Sequence, residues 1–145
     1  MNQMLTCLLG LSLLMGSGCS GSGDFPEIAK AHGTVTYQGK PLSSANVIFT
    51  PESGPIAVGT TDGLGHFELL TQGKHGAKIG RHRVMIQATA PKGGLNAVPV
   101  DPMTGRDVSV KIVSRIPEKY GKSHQSELTA NVSPKGENSF SFDLQ

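Results

Sequence analysis

Five histidines are the side chains most able to do chemistry in this chain: His32, His66, His75, His82 and His124. No two of them are two or four residues apart, so the sequence contains no local pair of metal ligands. After residue 23, no serine lies in the Gly-x-Ser-x-Gly turn that exposes the nucleophile of many hydrolases. We therefore expect no enzyme activity, no catalytic residue, and no bound metal or cofactor.

Strand pairing is a second route to a site, because it brings together residues that are distant in sequence. His66 and His82 lie on neighbouring predicted strands, and Glu68 would add a carboxylate. We favour the interpretation that the two histidines are unrelated residues at the surface or at a sheet edge. Asp62 and Glu68 are likewise interpreted as a turn residue and a solvated strand residue, and not as an acid–base pair.

The two cysteines, Cys7 and Cys19, lie in a segment that has no Asp, Glu, Lys or Arg before Asp24. Cys7 is inside an almost wholly apolar stretch of eleven residues, 5–15. Eleven helical residues rise about 16 Å, roughly half of a bilayer's hydrocarbon core, so this stretch is too short to span a membrane stably. Its length is typical of the apolar region of a signal peptide, whose removal would leave Cys19 as the sole cysteine.

Residues 14–19, Leu-Met-Gly-Ser-Gly-Cys, resemble the lipobox of bacterial lipoproteins, where the thiolate of the cysteine takes a diacylglycerol. Two features depart from that pattern: Gly16 stands where leucine is usual, and residues 1–3 carry no basic side chain. The resemblance implies a signal peptide over residues 1–18 and lipid, including palmitate, on Cys19. Cleavage nearby by an ordinary signal peptidase is the alternative.

The composition of the 145-residue chain favours short strands joined by turns. Its 19 glycines and 9 prolines destabilise long helices. With 37% hydrophobic and 17% charged residues, it is neither a disordered acidic tail nor a charged coiled coil. The net charge is only +2 and the 13 basic residues are scattered, so we expect no binding to nucleic acid.

Beyond residue 30, apolar and polar residues alternate with the period of two that is typical of half-buried strands. This pattern predicts an all-β fold, a seven-stranded antiparallel β-sandwich whose two sheets close on each other. The predicted strands are 32–37, 45–50, 56–61, 66–70, 81–88, 127–133 and 139–144. The predicted core consists of Val35, Val47, Phe49, Phe67, Leu69, Val84, Ile86, Leu128, Val132, Phe140 and Phe142.

Several turn motifs resemble carboxypeptidase regulatory-like domains, which are transthyretin-like (prealbumin-like) seven-stranded sandwiches of Ig-like architecture. The motifs are residues 33–49, the Thr-Asp-x-x-Gly-x-Phe of residues 61–67, and residues 80–84, where His82 replaces the usual tyrosine. Residues 116–144 are similar to a group of small bacterial lipoproteins. The resemblance implies a non-catalytic accessory module over residues 31–145, after a Ser/Gly-rich tether over residues 19–30.

Two enzyme groups use related sandwiches, and the chain departs from both. Hydroxyisourate hydrolases end in Tyr-Arg-Gly-Ser, whereas this chain ends in Phe-Asp-Leu-Gln. Intradiol dioxygenases hold ferric iron with two tyrosines and two histidines that follow the second tyrosine; here only His124 follows Tyr120. An enzyme of the transthyretin-like group is therefore the weakest hypothesis.

The first hypothesis is a lipid-anchored module of the cell envelope, exported, attached to the membrane through Cys19, with a structural role or a protein partner in the envelope. Ser20 is not aspartate, which by resemblance to Gram-negative sorting favours the outer membrane over the inner. The alternative is a small-ligand or carbohydrate-binding lipoprotein that uses the long connection over residues 90–111. That connection lacks the Trp and Tyr side chains on which sugars usually stack.

Overall fold

The structure is a computed structural model that describes residues 25–92 and 111–145. These residues form fourteen strand segments and one short 3₁₀ helix, which confirms the predicted all-β class. Cys19, the predicted signal peptide and most of the connection over residues 90–111 lie outside the described residues. Within the described ranges, no helix has the length and apolar character needed to cross a membrane.

Six of the seven predicted strands are observed within two residues of their predicted bounds, among fourteen strands in all. In chain order they are β1 (Ile28–Ala29), β2 (Ala31–Tyr37), β3 (Lys40–Pro41), β4 (Asn46–Pro51), β5 (Ala57–Thr60), β6 (His66–Glu68), β7 (Leu70–Thr71), β8 (Lys74–His75), β9 (Ala77–Lys78), β10 (Gly80–Gln87), β11 (Thr89–Pro91), β12 (Ile112–Ser114), β13 (Thr129–Val132) and β14 (Asn138–Leu144). The 3₁₀ helix, Glu118–Gly121, lies between β12 and β13.

Two sheets contain most of these strands. The larger sheet has six antiparallel strands in the order β13-β10-β4-β5-β7-β8. The smaller sheet is built around β2, which pairs with β14 on one side and with β3 and β6 on the other. Two further pairs, β1 with β9 and β11 with β12, lie outside these sheets.

The pairing of β14 with β2 is parallel, from Asn138 opposite Ala31 to Leu144 opposite Tyr37. The prediction of a wholly antiparallel sandwich is therefore wrong at this pair. The physical reason is that inward and outward side chains alternate with period two in both kinds of ladder, so the pattern does not carry strand direction. Nor does a short hairpin join β2 and β14, which would have fixed an antiparallel arrangement.

The core lies between the two sheets, and Phe49 of β4 is at its centre. The ring centroid of Phe49 is 6.4 Å from that of Phe67, 5.3 Å from that of Phe140 and 6.1 Å from that of Phe142, all three in the smaller sheet. Nine of the eleven predicted core residues are buried, whereas Leu128 and Phe140 are half-buried at the margin. The burial of hydrophobic residues between the sheets is the main force that holds them together.

The predicted strand over residues 66–70 is divided between the sheets, because β6 pairs with β2 whereas β7 pairs with β5. The residues that follow, predicted as a polar loop over 72–80, contain β8 and β9 instead. Gln72 and Gly73 both have positive φ, 49° and 82°, as a tight turn between β7 and β8 requires. The pairing of β9 with Ile28–Ala29 also removes these two residues from the predicted tether over 19–30.

Candidate functional site

The described chain begins at the edge of the larger sheet that is formed by β7 and β8. The Nζ of Lys74 in β8 lies 3.8 Å from the centroid of the Phe25 ring, a cation–π contact. Three residues later, β1 pairs with β9, and the backbone N–H of Ile79 donates to the carbonyl of Glu27 at 3.1 Å. These contacts fix the position of Phe25, which is six residues after Cys19.

A surface groove of about 880 Å³ lies on the outer face of the larger sheet at the same edge. Ile56, Val58 and Leu70 give it an apolar lining, and they remain 49%, 37% and 40% exposed. Val58 and Leu70 are directly opposite each other in the β5–β7 pair. We call this feature, defined by these three residues, the apolar groove.

The orientation of β5 explains why these large side chains are outside. Ala57 is buried between the sheets, and a Cβ added at Gly59 would lie 2.5 Å from the carbonyl oxygen of Glu68. Since the backbones approach this closely, only small residues fit on the inner face of β5. The sequence signal was the alternation of small with large residues over 56–59, which sequence analysis did not assign to a face.

Charged side chains surround the apolar groove. Lys74 follows Gly73, which lines the groove, and Lys78 Nζ donates at 2.7 Å to the carbonyl of Ser53, two residues before the lining residue Pro55. Glu68 lines the groove, and its Oε1 accepts a hydrogen bond of 2.9 Å from Nδ1 of His75. Two lysines therefore adjoin the groove, and the one carboxylate in its lining is already hydrogen-bonded.

Of the three residues of the possible cross-strand site, His66 and Glu68 lie on β6 and line one surface pocket, whereas His82 is not brought to them. His66 is exposed on β6 of the smaller sheet, as interpreted, whereas His82 is on β10 of the larger sheet and only 1% exposed. The interpretation of His82 as a surface or edge histidine is wrong. The alternation that places Val84 and Ile86 inside also places His82 inside. This alternation was the signal in the sequence for the burial of His82.

His82 lies in the core against Phe49, with the two ring centroids 5.6 Å apart. Its Nδ1–H donates to the carbonyl of Gly80 at 3.0 Å, and its buried Nε2 has no hydrogen-bond partner among the residues that the structure describes. Burial lowers the pKa of His82, and the nearby charge of Lys78 acts in the same direction, while the hydrogen bond to Gly80 opposes them. His82 is therefore neutral at neutral pH.

Asp62 is a turn residue, as the sequence predicted. Its Oδ1 accepts hydrogen bonds of 2.9 Å from the backbone N–H groups of His66 and Leu64. These bonds, the one from His66 first, hold the pKa of the Asp62 carboxyl below its ordinary value of 3.8. Asp62 thus closes the turn between β5 and β6 and is not poised to exchange a proton near neutral pH.

A second, polar cleft of about 510 Å³ lies on the outer face of β4, β10 and β13. Arg83 is opposite Thr50 on one side and opposite Thr129 on the other, so a guanidinium lies between two hydroxyls across three strands. Arg81, Ser123 and the carboxylate-bearing Glu52 also line this cleft. In the described parts of the chain, neither arginine forms a salt bridge.

No three His, Cys, Asp or Glu side chains in residues 25–92 and 111–145 converge in a way that could hold a metal ion. A search with protein-family models, with curated proteins and with solved structures finds no match to this chain. The arguments for its function therefore come from its own residues: the N-terminal segment, the edge where that segment joins the sheet, and the two clefts.

Proposed function

We propose that this chain is an exported, lipid-anchored and non-catalytic module of the bacterial cell envelope, with a structural or protein-interaction role. The observation that carries this proposal is the short distance along the chain between a lipobox-like cysteine and a folded domain. Only five residues separate Cys19 from Phe25, and β1 begins three residues after Phe25. An apolar segment, a cysteine and a domain in this order are what a lipoprotein requires.

We further propose that the domain is a transthyretin-like sandwich of the carboxypeptidase regulatory-like group. The support is local: the turn over residues 61–67 has the Asp that binds its own backbone and a glycine, Gly65, with φ of +80°. Such modules carry interaction surfaces and no chemistry of their own. The absence of an aspartate after Cys19 favours anchoring in the outer membrane.

The anchor is tested by replacing Cys19 with alanine and expressing the full chain in a Gram-negative host. We expect the Cys19→Ala protein to leave the membrane fraction and to incorporate no labelled palmitate, because three acyl chains supply about 0.8 kcal/mol for each buried methylene. The measurements are density-gradient fractionation, palmitate labelling and intact mass.

Cys7→Ala is the matched control for the anchor, since it removes the other thiol and leaves Cys19 in place. It should remain membrane-bound and labelled. An unmodified Cys19 in the wild-type mass spectrum, or a Cys19→Ala protein that still fractionates with the membrane, would contradict the proposal.

A small-ligand function is the second candidate, and the polar cleft is the observation that favours it. Two guanidiniums and three hydroxyls outnumber the one carboxylate of the lining, that of Glu52, and suit an oxyanion, either a phosphate or a carboxylate, on a hydroxylated molecule such as an acidic sugar. We expect titration calorimetry to detect binding of a sugar phosphate or a glucuronate oligosaccharide that Arg83→Ala weakens by about tenfold or more. Arg115→Ala, which lies outside this cleft, is the control; equal affinities in the two variants would exclude the cleft.

A further inference from the structure

We propose that the apolar groove of Ile56, Val58 and Leu70 is the side of the domain that contacts the lipid bilayer, with Lys74 and Lys78 at the depth of the phosphates. This inference rests on the proposed anchor at Cys19, and it adds an orientation to it: the β5–β7 part of the larger sheet meets the membrane and the other surfaces are left to partners.

The first support is the concentration of exposed apolar side chains. Among the described residues, only five large hydrophobic side chains are substantially exposed: Ile56, Val58, Leu64, Leu70 and Ile112. Three of these five line the one groove. Scattered exposed hydrophobics need no explanation, but a contiguous group of them is typical of an interaction surface.

The second support is the point at which the tether leaves the domain. Phe25 is held against Lys74, in the strand next to Leu70. The six Cα–Cα steps from Cys19 to Phe25 can span at most about 20 Å when fully extended, and about 13 Å in a coil. The radius of gyration of a domain of this size is also about 13 Å. A lipid on Cys19 therefore holds this edge of the larger sheet at the bilayer, while the opposite edge stays in water.

The third support is the charge around the groove. The ammonium group of Lys74 lies over the Phe25 ring and that of Lys78 donates to the carbonyl of Ser53, so both positive charges stay at the surface next to residues that line or adjoin the groove. Basic residues beside a membrane gain free energy from anionic headgroups. The one carboxylate in the lining, that of Glu68, is bound to His75 at 2.9 Å.

A bilayer suits the groove better than a second protein does. A stable protein interface buries about 800 Å² on each partner. The exposed area of Ile56, Val58 and Leu70 is smaller than this, because no more than half of each side chain is exposed. A membrane surface needs no such area, because the lipid anchor already supplies the affinity and the groove has only to set the orientation. We therefore assign the bilayer as the occupant.

The test uses single cysteines in the full, lipidated chain, because lipid blocks the thiol of Cys19 and Cys7 departs with the signal peptide. Val58→Cys and Leu70→Cys place a thiol in the groove. Leu64→Cys is the matched control, because Leu64 is 68% exposed but lies in the turn beyond the other end of β5. Each variant is labelled with an environment-sensitive fluorophore and reconstituted into phosphatidylethanolamine–phosphatidylglycerol vesicles, with and without brominated acyl chains.

We expect the labels at positions 58 and 70 to shift to the blue and to lose at least about half of their emission to brominated lipid, while the label at position 64 does neither. Circular dichroism establishes that each variant is folded, and Ile56→Cys is the substitute if either is not. Co-flotation with the vesicles is measured on the same samples.

The outcomes separate the two proposals. Failure of the wild-type chain to float with vesicles, with Cys19 unmodified, contradicts the anchor. Flotation with all three labels equally exposed to water leaves the anchor intact and overturns the orientation. A blue shift at positions 58 and 70 without quenching by brominated lipid would mean that protein covers the groove, which also overturns it.

Discussion

His82 shows what the packing of this domain does to a single titratable side chain. The ring lies against Phe49 in a core built of aromatic and aliphatic residues, and only its Nδ1 has a partner, the carbonyl of Gly80. A neutral imidazole is tolerated there with one hydrogen bond made, whereas the charged form would be expensive to bury. His82 is therefore a core residue whose protonation destabilises the folded state.

The pH dependence of stability follows from this position. Because folding lowers the pKa of His82 from its ordinary value of 6.5, the unfolded chain binds more protons than the folded one below that pH. Stability contributed by the neutral ring is thus present above pH 6.5 and is lost as the pH falls towards the folded pKa, by at most about 1.4 kcal/mol for each pH unit. We expect the free energy of unfolding, measured with urea, to fall less between pH 8 and pH 5 for His82→Phe than for the wild type.

His124→Gln is the control for that comparison, because His124 is exposed and its replacement leaves the core untouched. Its loss of stability between pH 8 and pH 5 should equal that of the wild type. If His82→Phe loses as much stability between pH 8 and pH 5 as the wild type does, then other groups cause the pH dependence and the burial of His82 does not contribute to it.

At this scale the sequence predicted the large core residues well and the small ones poorly. Alternation is enough to place Phe49 or Ile86 inside, because a large apolar side chain has a clear preference for burial. It was not used to place Ala57, since alanine occurs on either face, and so the outward position of Val58 was missed. The burial of His82 was not predicted because histidine, unlike Phe or Ile, has no strong preference for the interior.

The contact between β2 and β14 depends on Gly33. A Cβ at Gly33 would lie 2.1 Å from the carbonyl oxygen of Phe140 and 2.8 Å from the ring of Phe67. Backbone atoms of a paired strand cannot give way as a flexible side chain can. The two strands can therefore be this close only because residue 33 has no side chain.

We expect Gly33→Ala to lower the free energy of unfolding by at least about 2 kcal/mol, because the added methyl overlaps the neighbouring strand. Gly63→Ala is the control: a Cβ there meets nothing within 4 Å, and its φ is not positive. That variant should unfold at an unchanged or slightly higher temperature, since alanine restricts the unfolded chain. Equal melting temperatures for the two variants would show that β14 does not lie against Gly33.

The sequence predicted where most strands begin and end, but less about how they pair. Turn residues set the bounds of β2, β4 and β10 within one or two positions, because Gly and Pro interrupt a ladder wherever they occur. Residues 66–70 pass from one sheet to the other without a Gly or Pro that would indicate the crossing in the sequence. Both halves alternate in the same way, and the crossing appears only in the pairing: Leu69 N–H still donates to the carbonyl of Ala31 in β2, whereas Leu70 lies opposite Val58 of β5.

The apolar groove and the polar cleft lie on different parts of the same face of the larger sheet. The apolar groove involves β5 and β7, at the edge where the chain enters, and the polar cleft involves β4, β10 and β13, towards the opposite edge. If the bilayer covers the first, the second remains open to a soluble ligand. The two proposals are therefore compatible, and each can fail without the other.

The parallel pair of β2 and β14 has a further consequence, for the time at which the domain folds. Thr36 and Asp143, whose side chains share a hydrogen bond of 2.8 Å, are 107 residues apart in the chain. The smaller sheet remains incomplete until β14 has left the ribosome, and closing so long a loop slows the search for the native pairing. For the exported protein that we propose, this delay favours a chain that is still unfolded, and able to pass through a translocation channel, until β14 arrives on the far side.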